Sequence, residues 1–272
     1  IPIDIIAGSS IGALIGSLYA LGQTASEIER DVLRELSNAW KVCNLIDFNL
    51  FPVRGMLHGN QVVQLFKKYF KNKKFEDCQI PLKIVAADLS TWQAMTLDSG
   101  SVSDAVRASI AIPAIFKPVM HGSRVVVDGG IFSPLPIGSL RRSGAHKVIA
   151  VNVFPSALHA GEKYMMREAA LADERTRCAR RGPLRLGLWH LRRLLAKLFY
   201  PNVLDILMNT IQAMESEISD VEAQDADLLI RPVIPEANWV DFHKPRLFIQ
   251  KGEEAAEALL PKIKELIRPR SA

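Results

Sequence analysis

Apolar positions along the chain follow two periods, and the switch between them marks out the elements. Ile11, Leu14, Ile15, Leu18 and Tyr19 fall at i, i+3, i+4, i+7 and i+8, one face of a helix. Ser26 to Leu36, with Ser26 as N-cap, and Gly59 to Phe70 repeat that helical spacing. Between the helices lie short β-branched runs. Pro2 to Ala7, Leu82 to Ala87, Arg124 to Asp128, Lys147 to Phe154 and Leu228 to Ile230 are the expected strands. Val102 to Ile110 reads as a helix that stops before Pro113, and Gly252 to Ile267 as a terminal helix. Strands alternating with helices predict an α/β fold with a mostly parallel central sheet and helices on both faces. Between Ser156 and Glu222 no strand pattern occurs. That region is expected to be a helical insertion rather than a domain of its own.

The uncharged run from Ile5 to Gly22 admits three readings. Its length is at the lower edge of a transmembrane helix, and Gly8, Gly12 and Gly16, spaced four apart, suit close packing in a bilayer. It also suits a buried helix of a globular core. The third reading is a strand, a G-x-S-x-G turn over Gly8-Ser9-Ser10-Ile11-Gly12, and a helix over Ala13 to Leu21. The third fits best. Asp4 and the isoleucines around it suit a short strand, and Gly22 is a natural helix stop. Gly8 and Gly12 remove side chains where strand and helix backbones converge. Only Ser10 stands in the motif's serine position.

Composition narrows the class. Of the 272 residues, 49% are hydrophobic and 23% charged, so the chain can bury a core, and disorder, collagen and a disulfide scaffold are excluded. Cys43, Cys78 and Cys178 form no C-x-x-C pair. They read as reduced thiols of a non-oxidising, cytoplasmic compartment. No metal-ligand spacing occurs, and no cofactor is expected. The net charge of +5 hides a local excess. Arg175, Arg177, Arg180, Arg181, Arg185, Arg192, Arg193 and Lys197 follow one another without an acid, threaded by Leu184, Leu188, Leu191, Leu195 and Leu198. This stretch is a solvated face over a leucine stripe, an interfacial helix on anionic lipid with Trp189 and Phe199 as interface residues, or a nucleic-acid contact. No motif supports the last. The chain opens on Ile1 rather than Met, as a processed product or a fragment does, so an absent signal peptide says little about secretion.

Three segments taken together resemble the patatin-like phospholipase family, in particular its small bacterial members. They are Gly8-Ser9-Ser10-Ile11-Gly12-Ala13-Leu14 after a strand, Ala108-Ser109-Ile110-Ala111-Ile112-Pro113-Ala114-Ile115-Phe116-Lys117-Pro118-Val119, and Asp128-Gly129-Gly130 followed by Pro134-Leu135-Pro136. Weaker similarity runs through Ala87 to Thr91 and Gly252 to Ala256. The resemblance implies a three-layer α/β sandwich over residues 1–268 that carries the Arg-rich insertion at about 156–222. It implies hydrolysis of lipid acyl esters by a Ser-Asp dyad, with Ser10 as nucleophile, Asp128 as partner and a lipid substrate. In the absence of a nucleic-acid-binding motif, no nucleic-acid partner is expected. Peripheral contact with an anionic membrane through Arg175 to Lys197 is expected alongside. Family members also carry a Gly-rich oxyanion loop before the elbow. Here the sequence starts about seven residues ahead of Gly8, which implies an N-terminally truncated, impaired member with the Ile11 amide as its remaining oxyanion donor. A non-catalytic lipid-surface binding protein on the same scaffold is the alternative.

The residue chemistry agrees with the dyad. A serine hydroxyl is a poor nucleophile until a base within hydrogen-bond reach takes its proton. A carboxylate can serve when burial raises its pKa. Asp128 can equally be a turn carboxylate satisfying the backbone at Gly129 and Gly130. Asp88 is a weaker candidate, read as a cap or loop residue. An ordinary Ser-acid-His order would need a histidine after Asp128, and His243 is the best placed of His146, His159, His190 and His243. Ser109 and Pro113 are read as shaping a helix end, with no chemistry assigned.

Overall fold

The computed structural model describes residues 1–36, 60–154, 172–180, 203–232 and 241–267, with a few single positions between them. The fold is α/β. Its main sheet is mixed among the described residues and is organised around β2 (Leu82–Asp88), which is buried on both faces. β1 (Ile6–Ser9) runs parallel to β2, with Ile6 opposite Leu82 and Ser9 opposite Val85. β3 (Gln93–Leu97) pairs antiparallel with residues 84–88 of β2. β5 (Arg124–Asp128) pairs antiparallel with residues 86–88, and β4 (Val119–His121) closes the far edge against β5. Since β3 already occupies one edge of β2, β1 and β5 must share the other. They run toward each other and meet C-terminus to C-terminus between Val85 and Ala86.

Helices cover both faces because the strand residues alternate. Leu82, Ile84, Ala86 and Val126 point to one side. There they bury against α1 (Ile11–Ala20), α2 (Ala25–Leu36), α3 (Asn60–Phe70) and α4 (Val102–Ser109), through Ala13, Leu18, Ile28, Phe66, Phe70, Val102 and Val106. Phe66 and Phe70 meet edge to face at 5.7 Å. Burying each such ring is worth about 1.5–3 kcal/mol. On the other side, next to Val85, Thr96 approaches Ser139 at 3.4 Å, and this brings α5 (Ile137–Arg142) over that face. A second small core holds Leu135, Ile137, Val148 and Ala150. It lies at the parallel pair β6 (Ile149–Val151) and β7 (Leu228–Ile230).

Several boundaries move from their expected places. Thr24, not Ser26, caps α2. Its hydroxyl accepts the Glu27 amide while the Glu27 carboxylate accepts the Thr24 amide, a reciprocal capping box. The terminal helix begins seven residues early, at Pro245, and breaks at Leu259 into α7 (Pro245–Ala258) and α8 (Leu260–Leu266), because Pro261 has no amide to continue the ladder. β3, β4 and α5 had no clear periodic signature in the sequence. The insertion contributes a helical stretch at 172–180 and α6 (Val203–Glu222), and no strand among its described residues. Among the described residues no helix is long and apolar enough to cross a membrane. The run from Ile5 to Gly22 is a short strand and a helix of 10 residues, not one span.

Candidate active site

The meeting of β1 and β5 places the ends of two distant segments together. Ser10 follows the last residue of β1, and Asp128 is the last residue of β5. The Ser10 hydroxyl donates to Asp128 Oδ2 at 2.7 Å. Ser10 sits at φ 51°, ψ −120°, outside the ordinary regions for a residue with a side chain. Such a backbone costs on the order of 1–3 kcal/mol and persists only where its surroundings hold it. It turns the chain sharply from strand to helix and lifts the hydroxyl clear of both.

The turn depends on close backbone approach. A Cβ on Gly8 would lie 2.4 Å from the Gly12 carbonyl carbon and 2.5 Å from the Ala13 nitrogen, so α1 could not rest on β1. Gly12 differs from the expectation that both motif glycines are packed: a Cβ there meets nothing within 4 Å. The Ile11 amide heads α1, where a helix offers its own N–H groups no acceptor. It is therefore oriented to donate toward developing negative charge near Ser10.

Asp128 divides its two oxygens between two tasks. Oδ1 accepts the Gly130 amide at 2.8 Å, as a turn carboxylate would, and Oδ2 accepts the Ser10 hydroxyl. Its own amide donates to the Ala111 carbonyl at 3.0 Å. Burial of this residue, only 3% exposed, pushes the carboxyl up to about 6, against the pull of its bonds from Ser10 and Gly130. Gly129 is needed as glycine, because a Cβ there would lie 2.2 Å from the Val85 carbonyl oxygen.

Ser109, expected only to shape a helix end, bonds directly to the elbow, and Glu215 was not anticipated at all. Ser109, fully buried at the end of α4, accepts the Ser10 amide at 2.9 Å and donates to the Val85 carbonyl at 2.6 Å. Glu215, on α6, brings Oε1 to 2.5 Å from the point a Gly130 Cβ would occupy, beside Asp128 Oδ1 at 3.2 Å from the same point. Burial, and then the charge of Asp128, raise its carboxyl to about 8. No signal in the sequence marks Glu215, one of several acids on an amphipathic helix. Two turns on, Glu222 accepts the Leu135 amide at 2.8 Å and the Ser133 hydroxyl, tying α6 to the segment after the Asp128 turn.

Other expected candidates lie elsewhere. Asp88 ends β2, where it accepts the Ser90 amide and the Thr91 hydroxyl and pairs with Arg124 at 3.4 Å, a loop-capping role. His243 is exposed in the turn Asp241–His243, and among the described residues no histidine bonds to Ser10 or Asp128. His159 and His190 lie outside the described residues. No group of histidines, cysteines and carboxylates among the described residues is arranged to hold a metal.

A family model described as patatin-like phospholipase matches residues 1–141, just over half the chain. The chain belongs to the patatin-like phospholipase family. An uncharacterized NTE family protein of Mycobacterium tuberculosis is 30% identical over 153 residues, 56% of this chain and 26% of that protein. The human patatin-like phospholipase domain-containing protein 6 is 28% identical over 155 residues, again 56% of this chain but 11% of the relative. Lysophospholipase NTE1 of Debaryomyces hansenii is 28% identical over 156 residues, 10% of its length. The chain thus spans about a quarter or less of the length of these curated relatives. The patatin-like match contains Ser10, Ser109 and Asp128. Glu215 and the insertion fall beyond it.

Proposed function

We propose that this chain is a serine acyl hydrolase of lipid carboxylic esters, working through Ser10 and Asp128. The observation that carries the reading is the 2.7 Å hydrogen bond from the Ser10 hydroxyl to a carboxylate that burial has made a usable base near neutral pH. Ser10 Oγ attacks the acyl carbonyl while its proton passes to Asp128 Oδ2. The Ile11 amide stabilises the oxyanion, and the leaving alcohol departs with the proton. Asp128, ionised again, takes a proton from water, whose oxygen attacks the acyl-serine; the bond from the acyl carbon to Ser10 Oγ breaks, Asp128 returns the proton to that oxygen, and the acid is freed. Membership of the family and the lysophospholipase among its relatives support lipid as the substrate class. One acyl hydrolase unit over residues 1–268, with 156–222 inserted, is part of the same reading. A fluorophosphonate probe should add its mass to Ser10 in the wild type and not in Ser10→Ala, which should also lose hydrolysis of a p-nitrophenyl ester. Labelling that survives Ser10→Ala, or a wild type that never labels, rejects the reading; the latter outcome favours a non-catalytic lipid-binding scaffold.

The basic stretch enters the same proposal as a contact with anionic membrane. Arg175, Arg177 and Arg180 are exposed on the helical stretch 172–180, with Arg177 paired to Asp173. The remaining cations of the stretch and its leucines lie outside the described residues. Juxtamembrane cations are worth about 1 kcal/mol each and are screened by salt. Changing Arg175, Arg177 and Arg180 to Gln should weaken sedimentation with anionic vesicles at low salt and leave soluble-ester hydrolysis unchanged. Equal sedimentation of the two proteins returns the stretch to a solvated face.

A further inference from the structure

We infer that Ser109 is a positioning residue that holds the Ser10 elbow to the central strand and so aims the Ser10 hydroxyl at Asp128. The inference deepens the acyl hydrolase reading and rests on it for its kinetic consequence. It does not need that reading for its structural one.

A serine at the end of a helix ordinarily bonds back to its own preceding turn or faces water. Ser109 does neither. Its hydroxyl is fully buried and reaches across 24 residues of sequence to the Val85 carbonyl and across 99 to the Ser10 amide. A serine hydroxyl has one proton. Because that proton is donated to Val85 at 2.6 Å, the oxygen is left to accept from Ser10 at 2.9 Å, and the rotor has a single satisfied orientation. Ser10 needs this partner. Its amide lies just past the last residue of β1 and, among the described residues, donates to Ser109 alone, and a buried N–H without an acceptor costs about 1–3 kcal/mol.

The Val85 carbonyl also touches the other half of the pair. Gly129 packs so closely on it that a Cβ would lie 2.2 Å away. One carbonyl in the middle of β2 therefore sets the position of the nucleophile's turn, through Ser109, and of the acid's turn, through Gly129. The adjoining Ala111 carbonyl accepts the Asp128 amide, so the end of α4 grips both partners. With the Ser10 amide engaged by Ser109, the Ile11 amide is left as the donor for substrate. Ser109 itself touches neither substrate nor the moving proton, and acts only through Ser10.

The test pairs kinetics with a measurement that needs no activity, both on the full chain. Ser109→Ala should lower kcat about 10- to 100-fold with KM within twofold, and leave the acid limb of the pH profile in place. Ser109→Thr, which keeps the hydroxyl, should recover most of the loss. Ser109→Ala with wild-type kcat per folded molecule, even at a lower melting temperature, would make Ser109 a packing residue and overturn the inference. Independently, hydrogen exchange at the Ser10 amide, followed by NMR, should speed up at least tenfold in Ser109→Ala while amides in β2 keep their protection. An unchanged Ser10 rate overturns the inference as well. Should Ser109→Ala not fold, Ser109→Cys, of similar size but a poorer acceptor, replaces it in both measurements. If the wild type fails to label at Ser10, the acyl hydrolase reading falls, and the exchange rates still decide whether Ser109 holds the elbow.

Discussion

Asp128→Asn should lower kcat for ester hydrolysis about 10³–10⁴-fold while the chain stays folded. The site's hydrogen bonds dictate both halves of this outcome. In the native site both carboxylate oxygens accept, one from the Gly130 amide and one from the Ser10 hydroxyl. Asparagine has one acceptor oxygen and one donor amide. The Gly130 N–H must keep the oxygen, so the side-chain NH₂ faces Ser10 and the bond there reverses direction. Geometry is preserved, but nothing takes the serine proton. Stability moves the other way. Folding raises the Asp128 pKa to about 6, so its protonated form is favoured by the fold, and that advantage is lost as pH climbs through about 6. At pH 7 and above the buried charge is a burden of at most about 3 kcal/mol, and the neutral asparagine removes it. Thermal melts at pH 7.5 should therefore show the variant at or above the wild type. The wild-type kcat/KM should rise with pH through about 6 as Asp128 ionises, then decline near 8 as Glu215 adds a second negative charge beside Asp128, in a site where negative charge develops in the transition state. Glu215→Gln should abolish only the decline. A variant at Asp128 that melts normally and keeps more than a tenth of kcat would remove Asp128 from the mechanism.

Gly8→Ala should damage both fold and activity severely, and Gly12→Ala should be close to harmless to the fold. At Gly8 the added carbon meets backbone, the Gly12 carbonyl at 2.4 Å and the Ala13 nitrogen at 2.5 Å, which no rotamer change can relieve. Strand and helix must separate, and the Ser10 turn lies between them. Overpacking typically costs about 1–3 kcal/mol. Here the strained turn is displaced as well, so a melting temperature lower by several degrees and activity lower by at least 10²-fold are expected. At Gly12 the same carbon enters open space, and alanine gains up to about 1 kcal/mol of helix propensity. Calorimetry and ester kinetics on the two variants check this directly. Equal melting temperatures for both would mean that α1 does not rest on β1 as described.

That contrast marks how far local sequence reaches. In the pattern G-x-S-x-G the two glycines are symmetric, yet only one is pressed against backbone. Which one depends on how α1 lies on β1, and short motifs do not encode that. Thr24 taking the cap expected of Ser26 is a smaller case. Both are plausible caps with a glutamate three positions on, Glu27 for Thr24 and Glu29 for Ser26, so the sequence leaves the choice open and the fold forms the box at Thr24.

Local pattern was enough to set the alternation of strands and helices, the register that singles out Ser10, and the placement of Asp128 at a strand end before two glycines. These rest on periodicity, steric preference and turn chemistry, which act over a few residues. The tertiary structure alone decided that β1 and β5 share one edge of β2 and meet end to end, joining residues 118 apart by a 2.7 Å bond. It alone brought the Ser109 hydroxyl under the elbow and Glu215 beside Asp128. β3 and β4 belong to it too, since short strands without clear alternation form because β2 and β5 present unpaired edges to them. A carboxyl of ordinary pKa becomes a base near neutral pH only when the whole sheet closes water away from it, and burial of that kind is a property of the assembled core rather than of any segment within it.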